Sequence, residues 1–402
     1  MQDYLKIVVT GEVDSGKSTL IGRFLYEMGS LSEGVIEEIE NVSQRLGGDL
    51  EFAYLLDSLE EERRNQLTID TTQAFCKTKK GKQFIFIDVP GHKELLKNML
   101  CGSSYADIAI LVVDVQKSIE GQTKRHAFIL KFLGIEQIIV VLNKMDSVDF
   151  NENIFEKVKG NIIEFLKKIG LQPKHFIPIS AKQGEGLLRK SKKMSWYKGL
   201  PLAEALNVYM KKERNGDLRF PIQDIYTIDN ERIAVGKIVS GKIKRGEKVI
   251  ILPLNKEYNV KKIKIFNENK SIAKAPESIG LILEEMGDLR RGQIICKIRP
   301  PQIKTEILTK IFCVRPFNIK ESLKFRCTTQ ASYAQIKQIK GIWDSASLEP
   351  KPKEGILEET DIAEAIIAME PPLVVEGFER LNSLGRFILK DSKDICAVGI
   401  IL

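Results

Sequence analysis

Histidine, tryptophan and paired cysteine are scarce in this chain of 402 residues, which holds 3 histidines, 2 tryptophans and 6 cysteines. The cysteines are far apart, and none forms a C-x-x-C pair. Disulfide frameworks and structural zinc sites need such clusters, so we expect neither. Reduced thiols are the interpretation that remains.

Long apolar runs are also missing. No run reaches the length of about 18 residues that a membrane-spanning helix needs. Residues 1–6 lead straight into a strand pattern, without the architecture of a signal peptide. We therefore expect a cytoplasmic protein with no membrane association, and the chain length predicts roughly two to four domains.

Positive charge is in modest excess and unevenly spread. The net charge is +8, and residues 236–270 hold 10 Lys or Arg against 3 acids. Such a stretch is compatible with RNA or with an acidic partner, but alternating lysines are also common on the solvated face of a strand. Both interpretations stay open.

The most informative stretch is residues 6–20, where an apolar strand pattern ends at Gly11 and Gly16, Lys17 and Ser18 follow. The spacing G-x-x-x-x-G-K-S between a strand and a helix indicates a phosphate-binding loop. Its backbone N–H groups turn toward phosphate oxygens, Lys17 reaches the β- and γ-phosphates, and the Ser18 hydroxyl binds Mg²⁺. The nucleotide-binding residues predicted in this loop are Gly11, Glu12, Val13, Asp14, Ser15, Gly16, Lys17, Ser18 and Thr19.

A second motif, D-V-P-G-H, follows the strand pattern of residues 83–87. Asp88 stands where open α/β sheets bind ligands, and it is a candidate for holding Mg²⁺ through water. The Gly91 N–H can touch a γ-phosphate, so the loop can sense whether that phosphate is present. The residues predicted to bind nucleotide here are Asp88, Val89, Pro90, Gly91 and His92.

The tetrapeptide N-K-M-D at residues 143–146 predicts recognition of the base. Asp146 can accept two hydrogen bonds from the N1–H and the exocyclic amine of guanine, a donor pair that adenine lacks. Asn143 can brace the phosphate loop, the stem of Lys144 can lie over the purine, and backbone N–H groups of residues 180–182 can contact guanine O6. The site residues predicted in these two segments are Asn143, Lys144, Met145, Asp146, Ser180, Ala181 and Lys182.

The pattern of elements changes along the chain. Strands and helices alternate from residue 5 to residue 211, which predicts an α/β domain with a doubly wound, mostly parallel sheet. Short strands punctuated by glycines follow and predict two small all-β barrels. The predicted domains are 1–212, 217–300 and 303–402, and the predicted core of the last one consists of Phe312, Val314, Leu323, Phe325 and Ile336.

Taken in order, the motifs resemble the translation-factor class of GTPases. The segment E-R-R-N-Q-L-T-I-D at residues 62–70 resembles the E-R-x-x-G-I-T-I-D segment of that class. The resemblance implies that Thr68 ligates Mg²⁺ when GTP is bound and that His92 positions the hydrolytic water. It therefore implies GTP and Mg²⁺ as cofactors, with Ser18, Thr68 and Asp88 at the metal and with Lys17 and His92 in catalysis.

Several stretches bear on the branch within this class. M-S-W-Y-K-G at residues 194–199 resembles a segment shared by elongation factor 1-alpha and the GTPase subunit of sulfate adenylyltransferase, and R-F-P-I-Q at 219–223 resembles the latter. L-G-R-F at 384–387 is closer to elongation factor 1-alpha. The chain departs from the pattern at Glu12, where elongation factors usually have His, and at Gln66, where a switch I glycine is expected.

Three functions follow from the resemblance. The first is the GTPase subunit of sulfate adenylyltransferase, which would couple GTP hydrolysis to the synthesis of adenosine 5′-phosphosulfate from ATP and sulfate by a separate small catalytic subunit. The second is a translation elongation factor that delivers aminoacyl-tRNA to the ribosome. The third is a GTP-dependent assembly factor. We take the first as the main hypothesis, and a nucleic-acid partner is expected only under the second.

Overall fold

The computed structural model describes residues 4–31, 33–34, 36–37, 52, 72–77, 81–88, 106–117, 119–210, 216–228, 230–265, 268–284, 287–352 and 355–402. The chain forms two compact units, Met1–Lys211 and Lys212–Leu402. The expected fold class is confirmed, because an α/β unit precedes two β-rich domains. The three domain boundaries given above stay predictions.

A six-stranded sheet forms the first unit. Its strands are β1 (Tyr4–Gly11), β2 (Thr72–Lys77), β3 (Gln83–Asp88), β4 (Ile108–Asp114), β5 (Ile138–Asn143) and β6 (His175–Pro178). The described helices are α1 (Lys17–Glu27), α2 (Gly121–Phe132), α3 (Glu152–Lys168) and α4 (Leu202–Val208). The strand order is β2-β3-β1-β4-β5-β6. All neighbouring strands are parallel except β2 and β3.

The sequence explains why the central strands lie inside. Strand β4, I-A-I-L-V-V-D, is buried at every position, as expected of a parallel strand covered by helices on both faces. Helix α1 packs Leu20 and Phe24 into the same core as Ile7 of β1. Because the strands are parallel, the carboxyl ends of β1, β3, β4, β5 and β6 meet at one edge of the sheet. That edge carries the predicted motifs.

The second unit contains two groups of strands. The first group is β7 (Arg219–Ile228), β8 (Glu231–Lys237), β9 (Lys242–Lys244), β10 (Lys248–Leu252), β11 (Lys256–Ile265), β12 (Glu268–Lys270), β13 (Ile272–Lys274), β14 (Ser278–Leu283) and β15 (Ile294–Cys296). Seven of these strands form a sheet that returns on itself, because β10 also pairs with β11. Strands β9 and β13 form a separate ribbon.

A closed barrel follows. Its group is β16 (Gln302–Cys313), β17 (Phe317–Asn318), β18 (Leu323–Cys327), β19 (Gln330–Asp344), β20 (Ile356–Leu357), β21 (Asp361–Val375), the short helix α5 (Asn382–Gly385), β22 (Arg386–Lys390) and β23 (Ile395–Ile401). The barrel closes in the order β16-β21-β19-β18-β22-β23.

The predicted core of this barrel is partly wrong. Leu323 and Phe325 lie in it, and Ile336 packs against it. Phe312 is buried but does not belong to this core, and Val314 is only half-buried. Successive side chains of a strand point to opposite faces. On β16, Ile311 and Cys313 therefore point into the barrel, and Phe312, which lies between them, points away from it.

Among the described residues, no helix is both long enough and apolar enough to cross a membrane.

Candidate nucleotide-binding site

The phosphate loop joins β1 to α1 and has the backbone conformation that the sequence predicts. Asp14 (φ 62°) and Gly16 (φ 86°) are both left-handed, and such residues make successive N–H groups converge on an anion. A Cβ atom added at Gly16 would lie 2.4 Å from Nδ2 of Asn143, and one added at Gly11 would lie 2.2 Å from the carbonyl oxygen of Val112. Both glycines are therefore required by close approach.

Lys17 is held inside this loop. Its Nζ donates to the carbonyl oxygens of Glu12 at 2.7 Å and of Gly11 at 3.2 Å, and the residue is 8% exposed. Burial lowers the pKa of its ammonium group, while the carboxylates of Asp88, Asp14 and Glu12 act in the opposite direction. A bound polyphosphate would add negative charge beside this group and so favour its protonated form.

Ser18 and Asp88 meet at the carboxyl edge of the sheet, although 70 residues separate them. The Ser18 hydroxyl donates to Oδ2 of Asp88 at 3.4 Å. Two hard oxygen ligands at this spacing fit a Mg²⁺ ion that takes few protein ligands and keeps several waters. The third predicted ligand, Thr68, lies outside the described residues, as do Val89, Pro90, Gly91 and His92.

Asn143 connects the phosphate side of the site with its base side. Its Nδ2 donates to the carbonyl oxygen of Ser15 at 2.9 Å, and its Oδ1 accepts from the N–H of Ala181 at 2.9 Å. The residue is 2% exposed. The bracing contact expected from the N-K-M-D motif is therefore present, and a second contact to residues 180–182 accompanies it.

The base side is built on short turns. Asp146 is half-exposed in a 3-10 turn over Met145–Val148, which Met145 anchors through a hydrogen bond from its N–H to the carbonyl oxygen of Ile179 (3.1 Å). The N–H of Ser180 donates to the carbonyl oxygen of Glu185 at 3.1 Å. Since the N–H of Ala181 also has a partner, Asn143, the predicted contact to guanine O6 would share that N–H group or use the one of Lys182.

Two acidic residues beside the site, Asp114 and Glu120, were not predicted from the sequence. Asp114, at the end of β4, forms an ion pair with Lys144 (2.8 Å) and lies beside Asn143 in the register of β4 and β5. Burial, then a side-chain hydrogen bond with Glu120, raises the pKa of the Glu12 carboxyl. The signal for Asp114 was available, because like Asp88 it is an acid that ends an apolar strand. Nothing in the sequence pairs Glu12 with Glu120.

The segment M-S-W-Y-K-G at residues 194–199 packs against residues that follow the N-K-M-D turn. Nε1 of Trp196 donates to the carbonyl oxygen of Phe150 at 2.9 Å, and its ring lies 5.2 Å from that of Phe155. The hydroxyl of Tyr197 donates to the carbonyl oxygen of Phe176 at 3.0 Å. These contacts give the segment a structural role next to the N-K-M-D turn.

Comparison with known proteins covers almost the whole chain. The family model of the elongation factor Tu GTP binding domain matches residues 2–212, and that of elongation factor Tu domain 2 matches 231–296. The model described as GTP-eEF1A C-terminal domain-like matches 307–402. Fold and site together define a phosphate-loop GTPase followed by β-rich domains. The chain belongs to the elongation factor Tu and elongation factor 1-alpha family of GTPases.

Relatives with two different names share the same sequence identity with this chain but are covered to different extents. Elongation factor 1-alpha of Pyrobaculum islandicum is 34% identical over 422 residues, which cover 99% of this chain and 94% of that protein. Elongation factor 1-alpha of Methanoregula boonei is 34% identical over 411 residues, covering 99% and 96%. Sulfate adenylyltransferase subunit 1 of Bacteroides fragilis is 34% identical over 414 residues, covering 100% and 86%.

Proposed function

We propose that this GTPase is a translation factor that carries aminoacyl-tRNA while GTP is bound and releases it after hydrolysis. The observation that carries this proposal is the likeness to elongation factor 1-alpha, which extends over 99% of the chain and 94–96% of the two relatives of that name. The main hypothesis from the sequence, a sulfate adenylyltransferase subunit, has weaker support and becomes the second candidate.

The proposed chemistry is in-line attack of water on the γ-phosphate. Lys17 and the backbone N–H groups of the phosphate loop neutralise the developing charge, and His92 orients the water. Ser18, Asp88 and Thr68 would hold Mg²⁺, which when bound supplies further positive charge at the phosphates. Asp146 selects guanine, and Asn143 keeps the base side and the phosphate side in register.

The basic stretch at 236–270 is a poor argument for tRNA by itself. Glu231 pairs with Lys262 at 2.6 Å and with Lys264 at 3.5 Å, and Lys270 pairs with Glu277 at 3.7 Å. Part of the positive charge is therefore neutralised within the domain. The case for a tRNA partner depends on the full-length likeness and not on this charge.

The second candidate is the GTPase subunit of a sulfate adenylyltransferase with a small catalytic partner. The whole-chain likeness to sulfate adenylyltransferase subunit 1 favours it, as does R-F-P-I-Q at 219–223. In that case GTP hydrolysis would be coupled to the formation of adenosine 5′-phosphosulfate from ATP and sulfate.

One experiment separates the two functions. The full-length chain loaded with GTP, and in parallel with GDP, is mixed with aminoacyl-tRNA, and hydrolysis of the aminoacyl ester is followed. We expect the GTP form to protect the ester and the GDP form not to. Failure to protect the ester, with GTP-dependent adenosine 5′-phosphosulfate formation by a co-purified small subunit, would instead support the second candidate.

A further inference from the structure

We infer that Arg23 in α1 is a positioning residue for guanine recognition, because it holds the loop that is predicted to read O6 of the base. This inference rests on the proposed role of residues 180–182 in the GTPase site. The sequence motifs do not include Arg23, which lies six residues after Lys17 within the helix.

All three nitrogens of the Arg23 guanidinium group donate hydrogen bonds. Nη1 donates to the carbonyl oxygen of Lys182 at 2.9 Å, and Nη2 donates to that of Gln183 at 3.4 Å. Nε donates to Oε1 of Glu27 at 2.7 Å, which fixes the plane of the group. The group also lies 5.2 Å from the ring centre of Phe52, which is fully buried. Arg23, on α1, thus binds two backbone carbonyl groups of this loop.

Gly184 shows how closely the loop approaches this pair. A Cβ atom added there would lie 2.1 Å from Oε1 of Glu27 and 2.5 Å from Nη2 of Arg23, and the residue has a φ of 76°. The left-handed backbone favours glycine here, and a larger residue would have to displace the ends of the Arg23 and Glu27 side chains. The glycine and the Arg23–Glu27 pair form one packed arrangement.

Two side chains from different elements hold the loop. Asn143, at the end of β5, accepts the N–H of Ala181, and Arg23 binds the two carbonyl groups that follow. The N–H of Gln183 donates to Oγ of Ser180 at 3.1 Å, which closes the turn. The bond from Arg23 to the carbonyl oxygen of Lys182 orients the planar peptide group between Lys182 and Gln183. The N–H of Lys182, which could face O6, belongs to the same residue, so this bond limits its direction through the Cα atom that the two peptide groups share.

Helix α1 connects the Arg23 contacts with the predicted phosphate site. It begins at Lys17, and Arg23 lies about 9 Å further along the same helix at 1.5 Å per residue. The helix is anchored in the core through Leu20 and Phe24. The same helix therefore provides Lys17, the predicted phosphate contact, at its start and Arg23, which binds the loop of residues 180–183, near its middle.

The test compares GTP with two analogues on the full-length chain. In 6-thio-GTP, sulfur replaces O6 while N1–H and the exocyclic amine remain; ITP lacks the amine but keeps O6. We expect Arg23→Ala to reduce the preference for GTP over 6-thio-GTP from about fivefold to near unity, the effect of one net hydrogen bond. The preference for GTP over ITP, which reports on Asp146, should stay unchanged.

Matched variants separate positioning from general destabilisation. Arg23→Lys keeps the charge but lacks the planar fork that holds two carbonyl groups, so it should lose most of the preference and keep the fold. Glu27→Gln should lose part of it. Arg189→Ala, at an exposed arginine of the same unit, should change nothing.

Each outcome decides the inference. A wild-type preference that survives in both Arg23 variants overturns it, as does an equal loss of affinity for all three nucleotides. A wild-type chain that distinguishes GTP from ITP but not from 6-thio-GTP overturns the O6 role of residues 180–182 together with the role of Arg23. A wild-type chain that binds ATP as firmly as GTP overturns the guanine site itself.

Discussion

Asn143 in the first unit and Arg219 in the second are both almost fully buried polar residues that tie together distant segments of chain. Asn143 bonds to the backbone of Ser15 and Ala181. Arg219, on β7, forms an ion pair at 2.7 Å with Glu376, which follows β21, and so joins the two β-rich domains. Its guanidinium also donates to the carbonyl oxygens of Leu218 and Arg299.

The partners tell the two residues apart. The partners of Asn143 are loops at the carboxyl edge of a parallel sheet, where ligands bind, so a neutral amide there sets the geometry of a site. Arg219 faces a charged side chain that is itself buried, and removal of either member would leave the other without its close, buried partner. We therefore assign the buried Asn143 to the geometry of the nucleotide site and the buried Arg219 to the packing of the two β-rich domains against each other.

The largest expected effect is on cohesion. Arg219→Ala should destabilise the second unit by about 3–5 kcal/mol, because the buried Glu376 would lose its close partner and keep only Arg380, which lies 3.6 Å away and is exposed. The two tryptophans of the chain allow the units to be followed separately, since Trp196 lies in the first and Trp343 in the second. Urea unfolding of a Trp196→Phe background reports on the second unit through Trp343.

The control replaces both charges by apolar side chains. Arg219→Met combined with Glu376→Leu should recover most of the stability that Arg219→Ala loses. The remaining loss comes from the carbonyl oxygens of Leu218 and Arg299, which no longer have their donor. GTP affinity should stay unchanged in all of these variants. A weaker GTP affinity in Arg219→Ala would break the comparison, because it would give this residue a role in the nucleotide site.

Next in size is the loss of Lys17. Lys17→Ala should lower the rate of GTP hydrolysis by about 100- to 1,000-fold, as for other donors aimed at developing negative charge. Single-turnover assays with labelled GTP measure it, with Lys192→Ala at an exposed lysine as the control. Normal hydrolysis by the Lys17 variant would contradict the assignment of the phosphate loop.

Asn143→Ala should weaken nucleotide binding by about 10- to 100-fold, since the N–H of Ala181 and the carbonyl oxygen of Ser15 would both lose a buried partner. Equilibrium titration with fluorescent GDP gives the affinity. Unfolding reported by Trp343 should not change. If it does, Asn143 is not confined to the site and the contrast with Arg219 is lost.

Asp146→Asn tests base selection with a smaller effect. The side-chain amide can donate to the extra carbonyl group of xanthine, so the variant should prefer xanthine to guanine nucleotides by about tenfold. Competition between XTP and GTP measures this preference. An unchanged preference for GTP would contradict the base-reading role.

The smallest effect is expected at alkaline pH. Burial raises the pKa of Cys296 from 9.0 to about 11 and that of Cys327 to about 12, both in the second unit. Burial raises the pKa of Tyr197 and Tyr209, in the first unit, from 10.0 to about 12. A raised folded pKa gives stability that is complete below the unfolded pKa and is lost as pH rises through the folded value.

These thiols should therefore begin to weaken the second unit above pH 9. In the first unit burial raises the pKa of one described thiol, Cys76, and the tyrosines act only above pH 10, so we expect a smaller loss there. Urea midpoints between about pH 8 and about pH 11, read from Trp343 and from Trp196 in the matching single-tryptophan variants, measure the difference. Cys327→Ala should reduce the loss in the second unit. Equal pH dependence of the two units would contradict this ordering.

Most of the fold and the core of the site were readable from local pattern. The strand that ends at Gly11, the strand before Asp88 and the alternation of strands and helices up to residue 211 were predicted, and the structure has them. Buried parallel strands are continuous apolar runs, and the helices between them are amphipathic. The phosphate loop was readable because close approach to the backbone at Gly11 and Gly16 leaves glycine as the residue that fits.

What could not be read depends on register and on long-range packing. Asp114 enters the site because β4 pairs with β5, and Phe312 misses the barrel core because β16 turns its neighbours inward. The grip of Arg23 on residues 182 and 183 spans about 160 positions. No local pattern encodes such a contact.

By itself, the sequence determined the order of the elements and predicted the chemistry of the phosphate loop and the means of selecting guanine, since each depends on side chains within a few positions of one another. The tertiary structure decided which distant groups hold those parts in place: Asn143 and Arg23 around the base loop, and the Arg219–Glu376 pair between the β-rich domains. The physical reason is that a buried polar group is stable only with a partner at hydrogen-bonding distance, and chain folding alone brings that partner near.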